Sequence, residues 1–442
     1  MMRIGYLGLG AMGGALSAHL AKAFDLTVFD RNPNAMAGLV ALGAKAALSP
    51  AELARSCDVI LLCLPRSSDV QDALFSPGGL AEGFGPGKLV IDQSSGVPGV
   101  TSAIAQKLAA FGVAMLDAPV SGGIPAAQIG AVTIIASGAD DAWANAEPVL
   151  RAMTQKVFRC SDRVGDGQAL KLVNNAIGAG YRMATLELVA VGRKLGLRLS
   201  QLVETLDSGQ GANFTTRNML AGLVAGRSTT NFALLLMVKD LNEALALGSA
   251  TSAPMPMTAG ARGLMQIGLN LLGKNAKLDD VIPLTEQLAD IKLSDAASTS
   301  STPLASGVTD AELLAAIELS TIACNTVAVC ECVAVGRNFG LRMAEMARIL
   351  NVGSAWSETS ARILPALAND ETPLLGATLG EANAAVTLLV RLAADACVPL
   401  MLPNAALGCL QTALNTKGKD ADLGSLSTLF QKPQANGQVT PG

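Results

Sequence analysis

The sequence predicts an α/β doubly wound parallel sheet, then an all-α domain, then a second, degenerate all-α repeat. Up to about residue 160, short Val/Ile/Leu runs alternate with amphipathic segments, as strands joined by crossover helices do. After Cys160 the strand runs cease and helical periodicity takes over. Beyond residue 308 the helical part recurs in register.

The strand runs are 3–7, 26–29, 58–64, 89–92, 113–116 and 131–137. The first leads straight into Gly8, Gly10 and Gly13, spaced G-x-G-x-x-G, with Ala11 and Met12 before the last glycine. In a strand-turn-helix, Gly8 allows the tight turn, Gly10 admits a pyrophosphate against the backbone, and Gly13 lets helix and strand pack closely. The N–H groups opening the helix then face the phosphates. Such spacing is weak by itself in a chain with 45 glycines, but here a second strand follows and ends at Asp30. A carboxylate at that point accepts ribose hydroxyls and repels a 2′-phosphate, which favours NAD over NADP. The guanidinium of Arg31 pulls the other way, since it is suited to pair with that phosphate. Residues 1–163 therefore read as a Rossmann-type dinucleotide-binding domain.

A chain of 442 residues is expected to hold two or three domains. Hydrophobic residues supply 50% of it and aromatic ones 3%, which fits Ala/Leu/Val-packed helices better than an aromatic-rich sandwich. A net charge of −4 without any basic run argues against a nucleic-acid partner. Mean hydropathy is +0.41, yet the longest apolar stretch, 311–335, is interrupted by Glu312, Glu318 and Glu331, so no membrane partner is expected. The first residues run into a strand rather than a basic segment and an apolar core, and a cytoplasmic location is expected. Eight cysteines lie scattered without a C-x-x-C pair, and His19 is the one histidine. No metal site is expected, nor a nucleophilic centre that needs a second histidine.

Residues 168–196 read as one long helix, opening an all-α domain over 164–295. Residues 296–308 are small and polar around Pro303, as in a linker, and 432–442 read as a disordered tail. Between them lies the repeat, 309–431. Ala190–Arg198 reappears as Ala334–Arg342, an offset of 144 that also lays Glu187 on Glu331. One inserted residue later, Pro254, Gly263 and Gln266 fall on Pro399, Gly408 and Gln411 at an offset of 145. Two copies make a duplication; a solenoid needs more.

Three segments carry candidate chemistry. Asp117-Ala-Pro-Val-Ser-Gly-Gly123 follows a strand, so the Ser121 hydroxyl and the N–H groups of Gly122 and Gly123 are suited to hold an anion at the carboxyl edge of the sheet. Taken alone, an ordinary Pro/Gly turn explains that segment better. On the long helix, Lys171, Asn174 and Asn175 stand at i, i+3 and i+4 and share a face. Their apolar neighbours Leu170, Leu172, Val173, Ala176 and Ile177 point to burial, and a buried lysine with amide partners is tuned for proton transfer. Lys239-Asp240 ends an apolar run, with a solvated helix turn as its plainer reading. Ile124, Pro125, Phe232 and the 209–218 loop are expected to shape the pocket.

Together with Asp30–Pro33 and Asp92–Ser95, these motifs occur in the order found in β-hydroxyacid dehydrogenases, which the chain resembles from residue 3 to about 293. The resemblance implies Lys171 as the catalytic lysine, acting as general acid and base, with Asn175 beside it. It implies Ser121, Gly122, Gly123 and Asn174 at the substrate, and Ser95, Lys239, Leu64 and Pro65 along the cofactor. The substrate implied is a small-molecule hydroxyacid or its semialdehyde.

Under the same offsets Lys171, Asn174, Asn175 and Lys239 fall on Ala315, Glu318, Leu319 and Ala384, so the second copy loses every proposed chemical residue and reads as structural. In short members of the family the helical domain builds a dimer interface. The resemblance thus implies a homodimer or, with a fused copy in the partner's place, an intrachain pseudo-dimer. Two alternatives stand beside the dehydrogenase. One is a cofactor-binding interaction protein with vestigial turnover; the other is an imine reductase-like enzyme, of similar fold but usually without this lysine.

Overall fold

The computed structural model describes residues 2–295 and 307–431; nearly all of the expected linker and the whole of the expected tail lie outside the described residues. Arg3–Leu7 (β1), Asp25–Phe29 (β2), Lys45–Ala46 (β3), Val59–Leu62 (β4), Leu89–Asp92 (β5) and Ala114–Asp117 (β6) pair in the order β3-β2-β1-β4-β5-β6, all parallel. Every residue of β4 and β5 is buried, as a sheet covered on both faces requires. Ile60 and Leu62 feed one core cluster and Val59 and Leu61 the opposite one, because successive side chains of a strand point to opposite faces. The strand order reverses between β1 and β4, and the crevice at the carboxyl ends there is where such sheets bind ligands.

Three strands fall outside the expected runs. β3 and Val120–Ser121 (β7) are two residues long, and Val157–Ser161 (β9) carries Arg159. Ser121, expected on a loop, closes β7. Thr133–Ser137 (β8) runs antiparallel to β6 and β7 and parallel to β9, so one margin of the parallel sheet is mixed.

Two helices organise the rest. Asp166–Lys194 is buried at every residue except Gly178 and Lys194. A helix apolar or satisfied all round must be covered on all sides. Leu234–Ala250, Pro256–Leu272 and Val281–Ala289 cover part of it, and Asp310–Phe339 lies along the remainder. We label Ala11–Leu20 α1, Asp166–Lys194 α2, Leu234–Ala250 α3, Pro256–Leu272 α4, Asp310–Phe339 α5, Leu379–Asp395 α6 and Leu402–Lys417 α7. α5 opens with a reciprocal cap between Thr309 and Glu312 and stops at Gly340, whose φ of 101° suits glycine. By length and composition α5 is able to cross a membrane, but 78% of its most apolar window is buried inside this fold.

Contacts between the two helical units come in matched pairs. Glu187 on α2 accepts the N–H groups of Met401 and Leu402 at 2.8 and 2.9 Å, capping α7. Glu331 on α5 accepts those of Met257 and Thr258 at 2.8 and 2.7 Å, capping α4. Orphan donors at a helix start are thus satisfied from the opposite unit in both directions. Midway, Phe214 N–H donates to the Trp356 carbonyl and Glu358 N–H to that of Ala212, both at 2.9 Å, around the bridge Asn213–Ser357. An offset of 144 interchanges the central partners, and the capped helices α4 and α7 correspond in the repeat, so the units face each other across an approximate twofold axis.

Candidate active site

The glycine turn fits a dinucleotide by what each glycine leaves room for. Gly8 has φ 94°, and a Cβ there would stand 2.5 Å from the Cys63 carbonyl oxygen. At Gly13 a Cβ would overlap the carbonyl of Gly8 itself, so these two are packing glycines. Gly10 differs: nothing lies within 4 Å of its Cβ position, which leaves the start of α1 open to a phosphate. Ala11 is exposed and Met12 half-buried on the first turn of α1. Asp30 is fixed beside the turn, accepting Leu9 N–H at 2.7 Å and Asn32 N–H at 2.8 Å. Arg31 is exposed and makes no ion pair among the described residues.

The loops after β4 and β5 are tied together, because Leu64 N–H donates to Ser94 Oγ at 2.9 Å. Leu64 and Pro65 therefore stand next to the Ser94–Ser95 turn. At the end of β6 the buried carboxylate of Asp117 accepts the N–H groups of Gly165 and Gln168, both at 2.8 Å, and the Ser137 hydroxyl. Burial pushes this carboxyl up to about 7 against the pull of those donors. The first turn of α2 is thereby pinned to the sheet edge. Gln168 extends the anchor, donating to Asp92 Oδ2 and the Ser94 carbonyl at 3.2 Å each and accepting the Thr101 hydroxyl at 2.6 Å.

Lys171 follows one turn later and is 7% exposed. Burial pulls its ammonium down to about 8; nearby Asp240 opposes that pull and Lys239 adds to it. Asn175 donates to Asp240 Oδ2 at 2.6 Å, and Asn174 donates to Asn175 Oδ1 at 3.2 Å. Lys239, on α3, bonds the Ser95 carbonyl and pairs with Asp240 at 3.0 Å and Glu243 at 3.5 Å. One network thus runs from the sheet edge through Lys239 and Asp240 to the two asparagines, with Lys171 on the same helix face. Ser121 is buried and is followed by Gly122 and Gly123, with φ of 129° and 74°. No hydrogen bond among the described residues joins that turn to the network.

Residue types and spacing gave no role to Asp117 or Gln168, although Asp117 opens a candidate segment and residue 168 the expected long helix; a carboxylate ending a strand before a long helix is the signal that points to a cap. Residues 209–218, expected at the pocket, touch the second unit, with Gln210 N–H donating to Glu318 Oε1 at 3.0 Å and Arg217 stacked over Trp356 at 4.1 Å. The segment that does meet the site is the corresponding one of the second unit. Ser354 Oγ accepts from Asn174 at 2.8 Å.

Residues 3–161 match the family model of the NAD-binding domain of 6-phosphogluconate dehydrogenase. Residues 165–285, and again 316–430, match the model described as NAD-binding of NADP-dependent 3-hydroxyisobutyrate dehydrogenase. A 3-hydroxyisobutyrate dehydrogenase of Pseudomonas aeruginosa is 34% identical over 287 residues, 63% of this chain and 96% of its own length. An L-threonate dehydrogenase of Cupriavidus necator is 32% identical over 60% of this chain and 89% of its own. Among solved structures, 3-hydroxyisobutyrate dehydrogenase from Salmonella typhimurium superposes with a TM-score of 0.57 at 30% identity, covering 64% of this chain and all of that one. The 6-phosphogluconate dehydrogenase of Plasmodium falciparum, at 16% identity, shares the fold over 94% of both chains with a TM-score of 0.67, second helical unit included. The ordered motifs, the long helix that carries a buried lysine, and matches over nearly the full length of shorter relatives agree: the chain belongs to the β-hydroxyacid dehydrogenase family, NAD(P)-dependent enzymes acting on CH–OH groups.

Proposed function

We propose that the chain interconverts a small hydroxyacid and its semialdehyde with Lys171 as the general acid and base. The observation that carries this is a buried lysine on the same helix face as Asn175, with the Asn175–Asp240 pair beside that face and burial drawing its ammonium to about 8. Bound nicotinamide supplies the chemistry of accepting or giving a hydride. In oxidation, neutral Lys171 Nζ takes the hydroxyl proton; in reduction, the ammonium returns it to the forming alkoxide. Asn174 and Asn175 orient lysine and substrate, and the Ser121–Gly123 turn receives the carboxylate. The relatives' named substrates, 3-hydroxyisobutyrate, threonate and serine, are all small carboxylates bearing a hydroxyl, which supports that class. A panel of 2- and 3-hydroxyacids and semialdehydes, followed at the nicotinamide absorbance, is expected to yield turnover; none on any member would overturn the reading.

A proton-accepting lysine fixes the pH response. The neutral fraction of Lys171 grows as pH rises through about 8, so the oxidation rate is expected to climb through that value and level off. Reduction needs the ammonium and is expected to fall over the same interval. Rate profiles in both directions check this, and parallel slopes would exclude Lys171 as the titrating group.

We infer that NAD is preferred to NADP, because the Asp30 carboxylate is held rigidly at the end of β2, where a 2′-phosphate would meet it. Asp30→Ser is expected to raise KM for NAD by about tenfold or more, a charged hydrogen bond being lost, and to shrink the margin over NADP. An unchanged NAD/NADP ratio would reject Asp30 as the selector. The second helical unit occupies the place of a dimer partner, as its double match and reciprocal caps suggest, giving an intrachain pseudo-dimer with one reactive lysine.

A further inference from the structure

We propose that Ser354, on the loop 351–357 of the second helical unit, is a positioning residue for the Lys171 site: it orients Asn174 and so sets affinity for the hydroxyacid. The inference rests on the dehydrogenase reading above and gives the unit without chemical residues a part in the reaction. Asn174 is 2% exposed and lies one turn beyond Lys171 on α2. Both ends of its amide are held by the loop: Nδ2 donates to Ser354 Oγ at 2.8 Å, and Oδ1 accepts Ala355 N–H at 3.3 Å. The same Nδ2 reaches Asn175 Oδ1, so the orientation passes directly to the residue paired with Asp240.

The loop is built to hold still and to sit close. Trp356 lies under the Arg217 guanidinium, Ser357 Oγ bonds the Tyr181 hydroxyl at 2.9 Å, and Ser360 Oγ donates to Asn351 at 2.7 Å. Gly353 is required for the approach, because a Cβ there would stand 2.7 Å from Asn174 Oδ1. Gly178 makes room from the other side, with Ser354 filling the space over it. Ser354 is only half-buried, whereas the Asn174 it holds is almost wholly buried.

The matching joint across the axis supplies an internal control. There the partner of Asn174 is Glu318 and the partner of Ser354 is Gln210, and a carboxylate accepts a backbone N–H at 3.0 Å in place of the amide–hydroxyl bond. A purely structural role would make the two joints equivalent in their effect on kinetics. A positioning role makes only the Ser354 joint register in substrate affinity.

Ser354→Ala is expected to raise KM for the hydroxyacid about three- to tenfold, the worth of one lost hydrogen bond. KM for NAD and the midpoint of the pH profile should not move. Ser354→Thr, which keeps the hydroxyl, is expected to restore KM, Gly353→Ala to raise it further, and Glu318→Gln to leave it unchanged. An unaltered KM in Ser354→Ala, or a Glu318→Gln shift of the same size, overturns the inference. Should the alanine variant not fold, Trp143→Phe leaves Trp356 as the single indole, and saturating hydroxyacid added to the NAD-loaded protein is expected to change its emission; constant emission overturns the inference equally. Absence of turnover by the unmutated protein defeats the dehydrogenase reading itself, whereas turnover with an unresponsive Ser354 defeats this inference alone.

Discussion

Lys171→Ala is expected to cut kcat in both directions by about 10²–10⁴-fold, the usual contribution of a positioned acid and base, while NAD affinity stays within a factor of two. The two effects are expected to separate because the proposed cofactor residues, the glycine turn and Asp30, lie at the ends of β1 and β2, whereas Lys171 stands on α2. Stability moves the other way. With its folded-state value drawn from 10.5 to about 8, the charged lysine costs the fold roughly 3 kcal/mol at neutral pH. The sign follows from the direction: the stability is fully present above the unfolded value and is lost as pH falls through the folded one. Lys171→Met, which keeps the bulk and removes the charge, is therefore expected to melt at a higher temperature than the parent while remaining inactive. Calorimetric titration with NAD, a thermal melt and a turnover assay check the three parts. Turnover within tenfold of the parent would remove Lys171 from the chemistry.

A chain ending at Asp295 is expected to self-associate, by dimerising or by aggregating. α2 is buried almost throughout, and α5 provides a large part of its cover. Removing the second unit bares the face around Gly180 and Gly192, whose Cβ positions meet Ala328 and Ile317 of α5, and strips α4 of the Glu331 cap. Monomers seldom carry an apolar patch beyond roughly 300–600 Å², and a lost helix cap costs about 1 kcal/mol, so two truncated chains gain by covering one another. Light scattering on the sized protein decides the matter. A soluble, fully active monomer would show that the second unit contributes neither cover nor geometry. Loss of activity alongside clean dimerisation points to the missing 351–357 loop.

Much of this was legible in the residue pattern, for identifiable reasons. Gly8, Gly10, Gly13 and Asp30 are readable because backbone geometry restricts the residue types a nucleotide turn tolerates. Lys171, Asn174 and Asn175 stand out because polar residues amid an apolar run must be paired. The antiparallel entry of β8 left no trace, since alternation reports burial and carries no sense of direction. β9 was masked by Arg159, whose guanidinium reaches the Gly138 carbonyl and Asp140 at the rim. Ser354 was invisible for a deeper reason: its meeting with Asn174 spans 180 residues and exists only once the two helical units have closed. The repeat offset, which sets Ser354 opposite Gln210, is the one clue in the sequence, and it points to the loop rather than to what the loop touches.

The approximate twofold has a consequence for how such a protein is able to evolve. In a dimer of identical chains, each side of the axis carries the same residues, so any change at one joint is imposed on the other. Here both sides are encoded separately. Serine faces an asparagine on the side that holds the lysine, glutamine faces a glutamate on the side that does not, and each pair has been free to diverge without harming its mirror image. On the proposed reading, joining the halves in one chain converts a symmetry constraint into a division of labour, in which one half specialises in turnover and the other in shaping where turnover happens.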